Sequence, residues 1–117
     1  MTIRAIIVDD EKLAIQGLQL RLEPFDDLEV IDTCANGREA IRKIKTKKPD
    51  VVFMDIELED GSSFDILEKL NNTDFSIIFT TAYNQFALRA FKYSAIDYLL
   101  KPIDPTELQD AVKRSEE

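Results

Sequence analysis

Histidine is absent from the 117 residues and cysteine occurs once, as Cys34. Without imidazoles and with a single thiol the chain cannot assemble a structural zinc site, and no internal disulfide can form. A lone cysteine fits a reducing cytosol, where its expected role is that of a small buried hydrophobe. Glycine and proline are scarce, at three and four residues, which argues against fibrous and low-complexity chains. No apolar stretch approaches the roughly 20 residues of a membrane span. Met1 leads straight into a charged, strand-like segment, so the expectation is a cytoplasmic chain, neither exported nor anchored by its own sequence. Positive charge is in deficit, with 15 Lys and Arg against 23 Asp and Glu for a net charge of -8. That balance disfavours non-specific attraction to nucleic acid or an anionic membrane surface. Proteins and cations are the expected partners. The one basic run, KIKTKK from Lys43 to Lys48, reads as a solvated helix end.

What the chain does have is 44% hydrophobic and 32% charged residues, the composition of one globular domain spanning residues 1–117. Residues 3–8 (IRAIIV) are β-branched without strict alternation, as in a parallel strand covered on both faces. Lys12 to Glu23 sets Leu13, Ala14, Gly17, Leu18 and Leu22 at helical spacing and stops at Pro24. Residues 28–33 read as an edge strand, and a second helix follows from about Arg38 with Ala40, Ile41 and Ile44 inward. Val51 to Met54 is the most apolar strand. Gly61 and two serines provide a turn and an N-cap candidate before a helix marked by Phe64, Ile66, Leu67 and Leu70. Ser76 to Thr80 is the fourth strand, Phe86, Ala87, Ala90 and Phe91 line a short helix, and Tyr98 to Leu100 is the fifth strand. Asp104, Pro105 and Glu107 open a last helix as cap, first residue and capping-box partner, with Leu108, Ala111 and Val112 facing the sheet.

Strands alternating with helices in this way predict an α/β fold, a doubly wound five-stranded parallel sheet of (βα)5 flavodoxin-like type with strand order 2-1-3-4-5. Four of the strands end in polar residues: IIVDD in Asp9 and Asp10, VVFMD in Asp55, IIFTT in Thr80 and Thr81, and YLLKP in Lys101. In an open α/β sheet these ends share the ligand-binding crevice. Crowded carboxylates repel one another unless a cation sits among them, and hard oxygen ligands with open positions favour Mg²⁺. A carboxylate at a strand tip beside such a cation suits phosphoryl transfer to that carboxylate. Asp55 is the candidate nucleophile, with Lys101 as fixed positive charge and a strand-4 hydroxyl as donor.

The segments IIVDDE, VVFMDIEL, IFTTAY and AIDYLLKPID, in this order and spacing, resemble a bacterial two-component response-regulator receiver domain over essentially the whole chain. The resemblance implies that Asp55 accepts a phosphoryl group from a histidine kinase or phosphotransfer protein. It implies Mg²⁺ held by Asp10 directly, by Asp9, by Asp55 and by the backbone carbonyl of Glu57. Lys101, Thr81 and Ala82 would contact the phosphoryl group, with Thr80 the alternative to Thr81, and Thr81 and Tyr98 would form the switch. Such a chain is a signalling receiver that assists its own phosphorylation and dephosphorylation, not a conventional enzyme. The fourth helix, fifth strand and last helix would form the face that changes, controlling an output domain or partner and admitting a homodimer. The stretch from Ile78 to Asp104 is similar to receivers that precede a LytTR-type DNA-binding domain, so DNA would be reached only through an output domain absent from these residues.

Two features depart from that pattern: Glu59 stands in a stretch where such receivers commonly carry proline, and the loop IELEDGSS is short. Two other classes fit the residues less well. A haloacid-dehalogenase-type phosphatase would need aspartate where Glu57 stands, and a flavodoxin-like nucleotide binder would need a hydroxyl- and glycine-rich loop where DDEKL stands.

Overall fold

A computed structural model describes residues 2–70 and 74–117. The strands β1 (Ile3–Val8), β2 (Leu28–Cys34), β3 (Val51–Met54), β6 (Ser76–Thr81) and β7 (Asp97–Leu100) form one sheet in the order β2-β1-β3-β6-β7. Every pairing in it is parallel. Two short strands, β4 (Glu57–Leu58) and β5 (Gly61–Ser62), make a separate antiparallel hairpin between β3 and the next helix. With that hairpin set aside, the order is the expected 2-1-3-4-5.

The helices are α1 (Lys12–Leu22), α2 (Gly37–Lys47), α3 (Ser63–Leu70), α4 (Ala87–Phe91) and α5 (Pro105–Ser115). Alternation along each strand divides the core in two. Ile6, Val8, Val52, Met54, Ile77 and Phe79 meet α2, α3 and α4 on one side of the sheet. Ala5, Ile7, Val51, Phe53, Ile78 and Leu99 meet α1 and α5 on the other. A fully buried Phe, Ile or Val contributes ~1.5–3 kcal/mol, so the interior strands β1, β3 and β6, buried on both faces, are held hardest. The carboxylate of Asp104 caps α5 by accepting the N–H groups of Thr106 and Glu107.

Leu13 and Phe91, expected to face inward, are 81% and 63% exposed. Helix α1 carries leucines or isoleucines at 13, 15, 18, 20 and 22, so its apolar residues encircle much of the axis and spacing alone leaves the rotation open. Packing selects Leu18 and Leu22, with Ile15 partly buried beside them. In the basic run, Lys43 and Lys47 are not simply solvated, because both reach Asp32 on β2, at 3.1 and 2.9 Å.

Candidate functional site

Asp9 leaves the end of β1 with its N–H on the carbonyl of Cys34 at 3.0 Å. Asp55 leaves β3 with its N–H on the carbonyl of Val8 at 2.9 Å. Neighbouring strand ends thus hold the two side by side, and both side chains are buried, at 3% and 7% exposure for the residues. Asp10 is exposed. One carboxylate oxygen from each of Asp9, Asp10 and Asp55 lies within 4.8 Å of the others.

Lys101 follows β7, its backbone N–H bonded to the carbonyl of Thr81 at 2.8 Å. Its Nζ donates to Asp9 Oδ2 at 2.7 Å and to Asp55 Oδ2 at 3.1 Å. Burial works against the charge of Lys101, but the bond to Asp9, the field of Asp55 and the bond to Asp55 outweigh it and raise its pKa. The remaining oxygens are also engaged: Asp9 Oδ1 accepts from the N–H of Glu11 at 2.9 Å and Asp55 Oδ1 from that of Ile56 at 2.7 Å. Lys101 precedes Pro102 across a cis peptide bond.

Phe79 pairs with Met54, so Thr80 and Thr81 continue β6 past the end of β3, paired there with Leu99 and Leu100 of β7. Both threonines are buried and, being adjacent in a strand, turn to opposite faces. Thr81 Oγ1 accepts from the N–H of Tyr83 at 3.3 Å, while Ala82 next to it is exposed. The Tyr98 hydroxyl donates to the carbonyl of Tyr83, and its ring lies 6.3 Å from that of Phe79. Desolvation raises the Tyr98 pKa, against an opposing backbone hydrogen bond. Thr81 and Tyr98 therefore meet the same residue, Tyr83.

Glu57, two residues past Asp55, lies in the hairpin opposite Ser62 with its side chain exposed. Glu59 is exposed at the hairpin turn. The structure thus gathers Asp9, Asp10, Asp55 and Lys101 into one hollow at the carboxyl edge of the sheet, with Thr81 joined to Lys101 through its backbone carbonyl and Tyr98 joined to Thr81 through Tyr83. An all-oxygen set of three carboxylates, one of them open to solvent, fits a hard divalent cation such as Mg²⁺. Two residues that hold the connection after Asp55 carry no functional signal in the sequence. Ser63 reads only as a cap candidate and Asp60 has no motif, yet Ser63 binds the Asp55 carbonyl and Asp60 ties the hairpin to the start of α2.

Residues 5–113 match the response regulator receiver domain family. Among curated proteins, the chain is 40% identical over 111 residues to an uncharacterized response regulatory protein of Vibrio vulnificus, covering 94% of this chain and 46% of that one. It is 40% identical over 113 residues to the transcriptional regulatory protein BtsR of Salmonella typhi, covering 96% and 47%. To the sensory transduction protein LytT of Bacillus anthracis it is 38% identical over 115 residues, covering 96% and 46%. The chain thus spans about half the length of these relatives. Among solved structures, the response regulatory domain of mrkE from Klebsiella pneumoniae superposes with a TM-score of 0.88 at 25% identity, covering 97% of this chain and 94% of that one.

Proposed function

From the premise that the chain belongs to the response-regulator receiver family, we propose that it is a phosphorylation-controlled switch whose acceptor is Asp55. The observation that carries this reading is the Lys101 ammonium bridging the buried carboxylates of Asp9 and Asp55 beside the open carboxylate of Asp10. A carboxylate oxygen of Asp55 attacks the phosphorus of a phosphohistidine on the donor protein, the P–N bond breaks, and an acyl phosphate forms. Asp10, Asp9, Asp55 and the Glu57 carbonyl would hold Mg²⁺, which neutralises charge on the phosphoryl oxygens when bound. Lys101 transfers one of its N–H donors to the arriving phosphoryl group, and its charge compensates the added negative charge in a partly water-excluded site.

Thr81 is the switch hydroxyl. It accepts from the Tyr83 N–H, which leaves its own proton free to be donated to a phosphoryl oxygen, next to the small side chain of Ala82. Drawing Thr81 inward shifts the Tyr83 segment, to whose carbonyl Tyr98 is bonded, so the tyrosine follows. The affected surface is that of α4, β7 and α5, where Leu88, Phe91 and Leu100 are 82%, 63% and 41% exposed. This face is the contact for an output domain, a partner or a second copy, in cytoplasmic transcription control of the LytTR type. Phosphorylation acts by changing the relative stability of two arrangements of that surface, which requires a partner that binds them unequally.

The test is incubation with Mg²⁺ and acetyl phosphate followed by intact-mass measurement. A single phosphate adduct that disappears in Asp55→Asn is expected. An unmodified wild-type chain, or an adduct that survives the substitution, would refute the assignment.

A further inference from the structure

The acceptor sits on a connection that is pinned at both ends, and the pin at its base is one buried side chain. Ser63, at 0% exposure, opens α3. Its backbone N–H donates to the carbonyl of Ile56 at 2.7 Å, and its hydroxyl donates to the carbonyl of Asp55. Between these points the chain runs out and back through β4 and β5, with Glu57 opposite Ser62 and Leu58 opposite Gly61. Gly61, at φ 137°, supplies a backbone conformation that L side chains rarely adopt. At the far tip, the Asp60 carboxylate accepts from the N–H groups of Gly37 and Arg38 at 2.7 and 3.2 Å. Glycine at 37 eases that approach, since an added Cβ would lie 3.1 Å from Asp60 Oδ1 and the carboxylate would have to give by a few tenths of an ångström.

The contacts of Ser63 fix two consecutive peptide planes. The carbonyl of Asp55 and the N–H of Ile56 belong to the same rigid unit, and that N–H donates to Asp55 Oδ1 at 2.7 Å. Holding the carbonyl therefore aims the N–H, and the N–H orients the carboxylate so that Oδ2 lies toward Lys101, 3.1 Å away. The second plane, held through the Ile56 carbonyl, leads directly into Glu57.

We propose that Ser63 is a positioning residue for phosphoryl transfer, its hydroxyl setting the carboxylate orientation of Asp55 through the intervening peptide plane. The inference rests on Asp55 being the acceptor. It predicts a division of effects, because Ser63→Ala removes the hydroxyl but keeps the backbone N–H that holds the Ile56 carbonyl. The acceptor is mis-aimed while the path to Glu57 stays in place. A reactive group displaced by a fraction of an ångström loses rate, whereas Asp9, Asp10 and the Glu57 carbonyl keep three of the four cation ligands in place.

The experiment compares wild type and Ser63→Ala by acetyl phosphate labelling across a Mg²⁺ titration, together with the ¹H–¹⁵N spectrum of each without phosphodonor. The expected result is a roughly 10-fold fall in the labelling rate at saturating Mg²⁺, half-saturation within about twofold of wild type, and an upfield move of the Ile56 amide proton as its bond to the carboxylate weakens. Ser63→Cys keeps the side-chain size but offers a weak donor, and it reads the same loss if the alanine variant does not fold. Labelling within twofold of wild type with an unmoved Ile56 amide would overturn the proposal. So would a fall in Mg²⁺ affinity as large as the fall in rate, which loosening of all the ligands together would produce. Absence of labelling in wild type would instead strike at Asp55 as acceptor and leave the Ile56 amide shift as the independent reading of Ser63.

Discussion

Replacing Lys101 by methionine tests the electrostatics of the hollow directly, because it removes one charge and keeps most of the apolar stem. The ammonium lies 2.7 Å from Asp9 and 3.1 Å from Asp55, and the three side chains are 21%, 4% and 10% exposed. At an effective dielectric of about 20 and charge centres about 4 Å apart, each pair is worth ~4 kcal/mol of Coulomb attraction. The cost of desolvating the lysine offsets much of that sum. Removing one partner of a buried pair typically costs ~3–5 kcal/mol, and the partial exposure of Lys101 sets the expectation at the lower end, about 3 kcal/mol in the absence of divalent cation. Excess Mg²⁺ should shrink the deficit to about 1 kcal/mol, since a cation neutralises the orphaned carboxylates. By linkage, the difference of about 2 kcal/mol corresponds to Mg²⁺ binding roughly 30-fold more tightly to the variant. Urea unfolding with and without Mg²⁺, alongside a direct Mg²⁺ titration, measures both sides of this cycle. A stability loss under about 1 kcal/mol with unchanged Mg²⁺ affinity would show that the lysine and the carboxylates are not coupled.

On the opposite edge of the sheet, Asp32 has its pKa lowered from 3.8 to about 2, because hydrogen bonds from Lys47, Lys43 and the Thr33 N–H outweigh the upward pull of burial. A depressed carboxylate stabilises the fold above its unfolded pKa. Asp32→Asn should therefore cost about 1 kcal/mol at neutral pH after allowance for solvent screening, and the gap in thermal stability should close as pH falls from 3.8 toward 2. Burial pushes the Cys34 thiol up to about 12, so a thiol reagent at mildly alkaline pH should label it at the rate of unfolding, and rapid labelling of the native chain would contradict its enclosure. Asp60→Ala removes an external cap from α2 and should destabilise the chain by about 1 kcal/mol in urea unfolding, with no loss expected if water replaces the carboxylate fully.

The hollow was legible in the sequence because its charged members sit where apolar strands end, and strand ends in a parallel sheet share one edge. Asp9, Asp10, Asp55 and Lys101 needed only the topology to be brought together. Side-chain rotation on helices was less legible, as Leu13 shows: where leucine or isoleucine recurs on several faces, contact with the sheet decides which ones are covered. Adjacent threonines posed the same difficulty within a strand, and the bond from Tyr83 to Thr81 depends on the backbone turn beyond β6. Ser63 and Asp60 were invisible for a different reason. Their roles are hydrogen bonds to backbone groups 8 and 23 positions away, and backbone partners leave no mark in side-chain pattern.

The two groups that Asp55 Oδ2 and Lys101 bring into contact are carried by strands of unequal standing. β3 is hydrogen-bonded on both flanks, to β1 and β6, whereas β7 has a single neighbour and ends the sheet. An outermost strand opens at a lower free energy than an interior one. The anvil is thus bolted down and the hammer is held on one side only: if Asp55 is the acceptor, adjustment to a new occupant would be taken up by the lysine strand and the helices that flank it, and would emerge at the rim of the molecule instead of being absorbed in its middle.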